Sequence, residues 1–196
     1  MAEKNFRLAL FASGNGTNAQ AIYKAWQAGQ LGPITPQVLI CDKDCPALHW
    51  GQDMGLAAYL VKPRDYPDRK SHEQAILGLL QDHQIDLIAL AGYMRLLTPL
   101  LVGAYEGRML NIHPALLPEF PGTEAIERAY EAKVPFSGVT VHLVDEGMDT
   151  GPILAQEKVD LDPGMSLEDF AAAIHRVEHQ VYPATLAAYA QKLTQA

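Results

Sequence analysis

Short apolar runs alternate with amphipathic segments along most of the chain. Continuous apolar runs, as at residues 7–12 and 85–91, are typical of strands buried on both faces of a sheet, whereas apolar residues three or four apart, as at 69–84, indicate helices. Strand and helix follow each other in turn through the first half of the sequence. We therefore expect an α/β fold in which helices flank a mainly parallel sheet, with a Rossmann-like N-terminal half.

The same patterns place the individual elements. Strands are predicted at 7–12, 37–41, 57–61, 85–91, 108–112, 137–144 and 151–159, and helices at 19–30, 45–54, 69–84, 99–105, 123–133 and 166–182. Pro183 is expected to kink or restart the last helix. We treat residues 1–196 as one domain with two halves, about 1–105 and about 106–196.

Composition narrows the class of protein. A hydrophobic content of 48% suits one domain with a substantial core. No apolar stretch reaches the ~20 residues that span a bilayer, and the first apolar segment stops at Ser13, too early for a signal peptide, so we expect a cytoplasmic protein. Cys41 and Cys45 support neither a disulfide framework nor a four-ligand zinc site. The net charge of -8 argues against nonspecific nucleic-acid binding.

A glycine-bearing loop, residues 13–18, follows the first predicted strand. Gly14 and Gly16 allow the backbone to approach a ligand closely, and Thr17 or Asn18 can cap the next helix, whose free N–H groups favour an anion. A third glycine in the G-x-G-x-x-G spacing is missing, so the loop favours a phosphate over a dinucleotide. A simple tight turn would explain the same residues.

The stretch 109–122 carries the strongest sign of chemistry. Asn111 and His113, two apart in a predicted strand, share one face, and a proline at 114 ends the strand directly afterwards. An amide donor beside an imidazole at a strand end can act on a carbonyl group undergoing acyl transfer. A buried asparagine and histidine with purely structural hydrogen bonds would give the same pattern.

An acidic loop, residues 145–150, joins the last two predicted strands. Asp149 could approach His113 from this loop, and a carboxylate near an imidazole raises the pKa of the imidazole and fixes its orientation. The loop thus completes a possible constellation of asparagine, histidine and aspartate. A solvated acidic loop is the alternative.

Three further segments carry candidate contacts. Arg69 could reach a phosphate or lie in solvent. The apolar side chains of residues 94–97 could pack against one face of a flat heterocycle, although such a cluster is more often part of a core. On the last predicted helix His175, Glu178 and His179 share one face that could bind a substrate, and the absence of the HExxH order speaks against a metal there.

Five of these stretches resemble the glycinamide ribonucleotide formyltransferase family, the folate-dependent enzymes of purine biosynthesis. They occur in the family's order and together cover nearly the whole chain. They are SGNGTN at 13–18, AGYMRLL at 91–97, LNIHPALLP at 110–118, VHLVDEGMDTGPI at 141–153 and EHQVYP at 178–183.

The resemblance implies transfer of a formyl group from 10-formyltetrahydrofolate, the co-substrate, to the amine of glycinamide ribonucleotide, without a metal. The Asn-x-His pair and the downstream aspartate are shared by 10-formyltetrahydrofolate enzymes in general, so they indicate the reaction but not the acceptor. The prediction of the acceptor rests on the resemblance of the glycine loop. A formyltransferase for another amine such as an amino sugar, a 10-formyltetrahydrofolate hydrolase, and a noncatalytic nucleotide- or folate-binding module remain open. We expect a monomer or homodimer with no nucleic-acid or membrane partner.

The resemblance also implies roles for the matching residues. The half at 1–105 would bind the ribonucleotide phosphate, and the half at 106–196 would hold the catalytic and folate sites. The catalytic residues would be Asn111, His113 and Asp149. Those expected to bind the ribonucleotide are Gly16, Thr17, Asn18, Arg69, Pro114 and Glu178. Those expected to bind folate are Met94, Arg95, Leu96, Leu97, Val144, Asp145, Glu146, Gly147, Met148 and Asp149.

Two features depart from the family's pattern. Shortly after Pro121 and Gly122 the family usually carries one or two histidines, whereas this chain has Glu124 and Ile126. The sequence also ends at Ala196 without the C-terminal strands that many members carry. We expect that second difference to affect an edge or an interface more than the chemistry.

Overall fold

Alternate residues of the first strand face two separate hydrophobic cores, because successive side chains of a strand point to opposite faces of a sheet. In the computed structural model, which describes residues 4–195, Leu8 and Leu10 pack in one core while Ala9 and Phe11 pack in the other. Helices contribute buried residues to both cores. The first apolar run therefore forms a strand covered on both sides, as its sequence predicts.

The elements agree in type and order with the prediction, and most ends differ by a few residues. The strands are β1 (Phe6–Ala12), β2 (Ile34–Cys41), β3 (Ala57–Leu60), β4 (Leu87–Leu90), β5 (Met109–His113), β6 (Phe136–Leu143) and β7 (Ile153–Asp160). The helices are α1 (Thr17–Gln27), α2 (Pro46–Asp53), α3 (Arg69–Asp82), α4 (Pro99–Ala104), α5 (Ala125–Glu131) and α6 (Leu167–Gln195).

The seven strands form one sheet in the order β3-β2-β1-β4-β5-β6-β7. Strands β1 to β5 pair in parallel, and β6 and β7 add to the β5 side in antiparallel orientation. The strand order reverses at β1, which pairs with both β2 and β4. Ligands of open α/β sheets bind beyond the carboxyl ends of strands at such a reversal, so the loops after β1 and β4 belong to the expected site.

Helix α6 runs through Pro183 and ends at Gln195. The sequence predicted a helix to about residue 182 that Pro183 would kink or restart. The structure has one helix that continues past the proline, because packing outweighs the one backbone hydrogen bond that a proline removes. Tyr182, Leu186 and Ala190 are fully buried and continue one apolar face across the proline. Neither α6 nor any other helix within residues 4–195 is long and apolar enough to cross a membrane.

Candidate active site

Strand β5 carries two polar side chains to the edge of the sheet. It pairs with β4 only as far as Asn111, which lies opposite Leu90, so His113 extends past that pairing. On its other side β5 pairs with β6, and this register sets Asn111 opposite His142 and His113 opposite Thr140. The amide Nδ2 of Asn111 is 3.4 Å from Nε2 of His142. The antiparallel pairing thus adds a second imidazole to the predicted pair.

The loop between β6 and β7 brings Asp149 to the same place. Its carboxylate Oδ2 is 3.4 Å from His113 Nδ1, and its Oδ1 is 3.6 Å from His142 Nε2. The backbone amide of Gly122 donates a hydrogen bond of 2.8 Å to the same Oδ2. The structure therefore contains the approach of Asp149 to His113 that the sequence predicts.

The backbone of this loop is shaped so that the carboxylate of Asp149 faces inward. Asp149 has a left-handed backbone with φ of 56°, which aspartate tolerates better than most residues. Two residues later, a Cβ atom added to Gly151 would lie 1.8 Å from the carbonyl oxygen of Leu143. This position therefore requires glycine. Asp145 Oδ1 accepts hydrogen bonds from the Gly147 amide (3.0 Å) and the Thr150 hydroxyl (2.7 Å). These contacts stabilise the loop in the conformation that delivers Asp149.

The electrostatics of the cluster favour an ionised Asp149. Burial acts to raise the pKa of this carboxyl, but the contact with His142, the hydrogen bond from Gly122 and the charges of His113 and His142 outweigh it. The pKa of Asp149 consequently lies below the ordinary value of 3.8. A carboxylate therefore faces two imidazoles at neutral pH.

Both ring nitrogens of His113 face acceptors. Nε2 lies 2.7 Å from the carbonyl oxygen of Phe120, and Nδ1 lies 3.4 Å from Asp149. A carbonyl oxygen can only accept, so the contact with Phe120 places an N–H on Nε2, the nitrogen that points away from Asp149.

The loop after β5 is fastened to β6 and β7 by two polar side chains. The buried Thr140 hydroxyl donates to Ala115 O (2.7 Å) and accepts from the Leu117 amide (3.0 Å). Gln156 Nε2 donates to Leu117 O (2.9 Å) and lies 3.0 Å from the same hydroxyl. The start of the loop is therefore held rigidly next to His113.

Sequence reasoning named no role for His142, although it contacts both Asn111 and Asp149. Its Nδ1 donates to the carbonyl oxygen of Leu143 at 2.8 Å, which fixes the ring so that Nε2 points into the cluster. A histidine inside a largely buried strand is a signal for such a site. Its partner could not be identified without the register between β5 and β6.

The glycine loop after β1 leads directly into helix α1. Gly16, with φ of 68°, occupies the N-cap, and no side chain caps the helix. The prediction that Thr17 or Asn18 supplies the cap was wrong, because a Cβ at position 16 would lie 2.6 Å from Ala47 Cβ and the close approach selects glycine at the cap. Because glycine has no side chain to cap the helix, the first N–H groups of α1 are left open to an anion.

Helix α6 lies next to this loop and presents Glu178. The buried carboxylate accepts a hydrogen bond from His175 Nδ1 at 2.7 Å, and Asn18 Nδ2 lies 3.4 Å from the same Oε2. The hydrogen bond to Glu178 raises the pKa of His175, against the opposing effect of burial. Burial lowers the pKa of His179. The predicted polar face of the last helix thus meets the predicted phosphate loop.

The loops after β1 and β4 are hydrogen-bonded to each other. The Ser13 amide donates to Gly92 O at 3.1 Å, and the Met94 amide donates to the Ser13 hydroxyl at 2.9 Å. Beyond this junction the side chains of Met94 and Leu96 are 75% and 53% exposed. They do not belong to a core, and they present an apolar surface beside the site.

Arg69 contacts the segment after β4. Its guanidinium donates to the Leu96 carbonyl, and on the same helix the Glu73 carboxylate accepts from the Thr98 amide at 2.7 Å. Among the hydrogen bonds of the described residues, Arg69 has none with residues 13–18. Its predicted role in phosphate binding stays a prediction, and its observed neighbour is the segment expected to bind folate.

The two positions that lack the family's histidines have ordinary structural roles. Glu124 takes a left-handed backbone with φ of 56° and forms the N-cap of α5. Ile126 is 7% exposed and packs in the core. Neither position contributes a titrating ring to the site.

The two cysteines are buried and free. Burial and the neighbouring Cys45 raise the pKa of the Cys41 thiol. Within residues 4–195, histidine, cysteine and carboxylate side chains form no group of three or more that could hold a metal ion.

Comparison with known proteins shows the family of this chain. The formyl transferase family model matches residues 6–186. The chain belongs to the formyl transferase family. It is 41% identical over 186 residues to phosphoribosylglycinamide formyltransferase of Bacillus subtilis, with 92% of each chain covered.

Solved structures agree with this assignment. Phosphoribosylglycinamide formyltransferase from Bacillus halodurans superposes with a TM-score of 0.92 at 47% identity, covering 95% of this chain and 96% of that one. Glycinamide ribonucleotide transformylase 1 from Geobacillus kaustophilus gives 0.91 at 49% identity, covering 94% and 98%. The family resemblance and the α/β fold predicted from sequence are confirmed.

Proposed function

We propose that the protein transfers the formyl group of 10-formyltetrahydrofolate to the primary amine of glycinamide ribonucleotide, a step of purine biosynthesis. The observation that carries the proposal is the convergence of Asn111, His113 and Asp149 at one edge of the sheet. It is supported by similarity to proteins named phosphoribosylglycinamide formyltransferase along nearly the whole chain.

In the proposed reaction the amine attacks the formyl carbon and a tetrahedral oxyanion forms. The amide of Asn111 and the N–H on Nε2 of His113 would donate hydrogen bonds to this oxyanion, with the substrate replacing Phe120 O as the acceptor. Each well-placed donor of this kind is typically worth ~3–4 kcal/mol in the transition state. The bond between the formyl carbon and the folate nitrogen then breaks, giving the formyl amide and tetrahydrofolate.

Asp149 would serve two purposes in this reaction. Its negative charge favours the imidazolium form of His113, which is the better donor to an oxyanion. The attacking amine loses a proton and the leaving folate nitrogen gains one, and the carboxylate would relay that proton, with a water molecule completing the path. His142, in contact with Asp149, would help to keep the carboxylate ionised and in place.

Substrate binding is proposed to follow the two halves of the chain. The open helix N-terminus at Gly16, Thr17 and Asn18 would hold the phosphate with Arg69, and Glu178 would contact the ribose or the glycinamide end. Pro114 would line the same site. Folate would lie between the segment 94–97, with Arg95 at its polar edge, and the loop 144–149. The exposed side chains of Met94, Leu96 and Met148 offer apolar surface for its ring system.

The deciding experiment is absorbance-monitored turnover of 10-formyltetrahydrofolate by the purified protein, with and without glycinamide ribonucleotide. Turnover that requires the ribonucleotide supports the proposed donor and acceptor. Turnover with water alone would indicate a hydrolase. Turnover only with another amine, such as an amino sugar, would identify that amine as the acceptor. Tight folate binding without turnover would indicate a binding module. We also propose a cytoplasmic location and a monomer or homodimer.

A further inference from the structure

Two backbone groups of the segment 119–124 contact the catalytic pair directly. Phe120 O faces Nε2 of His113 at 2.7 Å, and the Gly122 amide donates to Asp149 at 2.8 Å. Phe120 has φ of 49° and Gly122 has φ of 80°, both in the left-handed region. A phenylalanine adopts this conformation only when its surroundings hold it there. The orientation of His113 and Asp149 thus depends on how this segment is held.

Arg128 on α5 contacts this segment at three points. Its Nη2 donates to Pro121 O, and its Nε donates to Thr123 O at 3.1 Å. Its guanidinium carbon also lies 5.9 Å from the centre of the Phe120 ring. The two carbonyls flank Gly122, so one planar cation fixes both sides of the residue that binds Asp149. Arg128 itself is only partly buried.

We propose that Arg128 is a positioning residue for His113 and Asp149, acting through Phe120 and Gly122. The inference rests on the proposed function for its catalytic consequence, while its structural consequence can be measured without turnover. Fastened by Arg128, Phe120 O holds the His113 ring with Nε2 directed away from Asp149, and the Gly122 amide holds the carboxylate beside Nδ1. When the segment loosens, both groups lose these partners and the N–H on Nε2 is no longer aimed at the oxyanion. In the neutral ring, the loss of Phe120 O as an acceptor increases the share of the proton on Nδ1.

The kinetic test compares Arg128→Met with Arg108→Met. Arg108 is a matched control, since its Nη2 donates to Ala104 O at 2.7 Å and its guanidinium lies 5.0 Å from the Tyr105 ring, outside the site. We expect Arg128→Met to lower kcat about 10-fold with little change in either KM, as slight misplacement of catalytic groups does. Arg108→Met should keep wild-type kcat. Arg128→Lys, which keeps the charge but loses the planar fork, should fall between the wild type and Arg128→Met.

The structural test uses the ring-nitrogen ¹⁵N chemical shifts of His113, recorded in each ligand-free protein at a pH where the ring is neutral. The wild type and Arg108→Met should show the N–H on Nε2, and Arg128→Met should show an increased share on Nδ1. An unchanged tautomer with unchanged kcat in Arg128→Met would overturn the proposal, as would equal losses in both methionine variants. A wild type without formyl transfer would contradict the proposed function, and the NMR result would still decide whether Arg128 positions His113.

Discussion

At the residue scale, Asp149 is the side chain on which the contacts of the candidate site converge. One carboxylate contacts His113 and His142 and accepts a backbone hydrogen bond from Gly122. These partners together outweigh the effect of burial and lower its pKa. A buried negative charge that stays ionised can in turn keep an imidazole charged and oriented. The aspartate therefore couples the loops and strands that meet at this edge.

We expect His113→Ala and Asp149→Asn to lower kcat by about 10²–10³-fold, because the first removes a donor to the developing oxyanion and the second removes the charge that orients this donor and relays the proton. Substrate dissociation constants should change little, since neither residue is proposed to supply most of the binding energy. Steady-state kinetics and calorimetric binding separate the two effects. The control is the exposed pair of His49 and Asp44, 2.9 Å apart, whose substitution by Ala and Asn should leave kcat unchanged. Wild-type turnover in both site variants would rule out the proposed roles.

Glu178 provides a second test at this scale. Its hydrogen bond is the main reason that the pKa of His175 is raised. In Glu178→Gln the charge is lost, so the pKa of His175 should fall, as an NMR titration of the His175 ring proton would show. KM for the ribonucleotide should rise about 10-fold, the usual cost of losing a hydrogen bond to a charged group. The exposed Glu168, substituted in the same way, should change neither quantity; a KM unaffected by Glu178→Gln would argue against substrate contact.

At the element scale the site depends on the path of the loop between β6 and β7. Gly151 lies so close to the carbonyl of Leu143 that a methyl group cannot be added without moving backbone. We expect Gly151→Ala to displace Asp149 and lower kcat at least about 10-fold, along with the urea midpoint. Gly78→Ala is the matched control, because a Cβ there meets nothing within 4 Å and lies in helix α3, so its activity should be retained. Equal behaviour of the two variants would contradict this account of the loop.

The helices and strands could be predicted from the sequence where a local pattern of apolar and polar residues indicates them. The apolar runs and helical spacings gave the type and order of the strands and helices, because burial on one or two faces imposes those periods. The cap of α1 was predicted wrongly, and the length of α6 beyond Pro183 was not predicted, since both depend on packing. Ala47 leaves room only for glycine at position 16, and the buried face around Leu186 carries the helix past the proline.

At the scale of the whole molecule, the ionisation of Asp149 should appear in the pH dependence of stability. Because its folded pKa lies below the unfolded value of 3.8, the stabilisation is present above about that pH and is lost as the pH falls through the folded pKa. As the pH falls from 6 to 3, the free energy of unfolding of the wild type should therefore decrease relative to that of Asp149→Asn. Urea unfolding of both proteins at the two pH values measures this. A constant difference would contradict the lowered pKa.

The sequence by itself determined the α/β class, the order of the elements and a set of candidate site residues, because periodicity, prolines and local motifs are properties of neighbouring residues. Only the tertiary structure decided which of these residues meet. The register of β5 with β6 sets His142 against Asn111, and the folded loop brings Asp149 between two imidazoles. Contacts between segments distant in sequence are fixed by packing and strand register, which no stretch of the chain specifies alone.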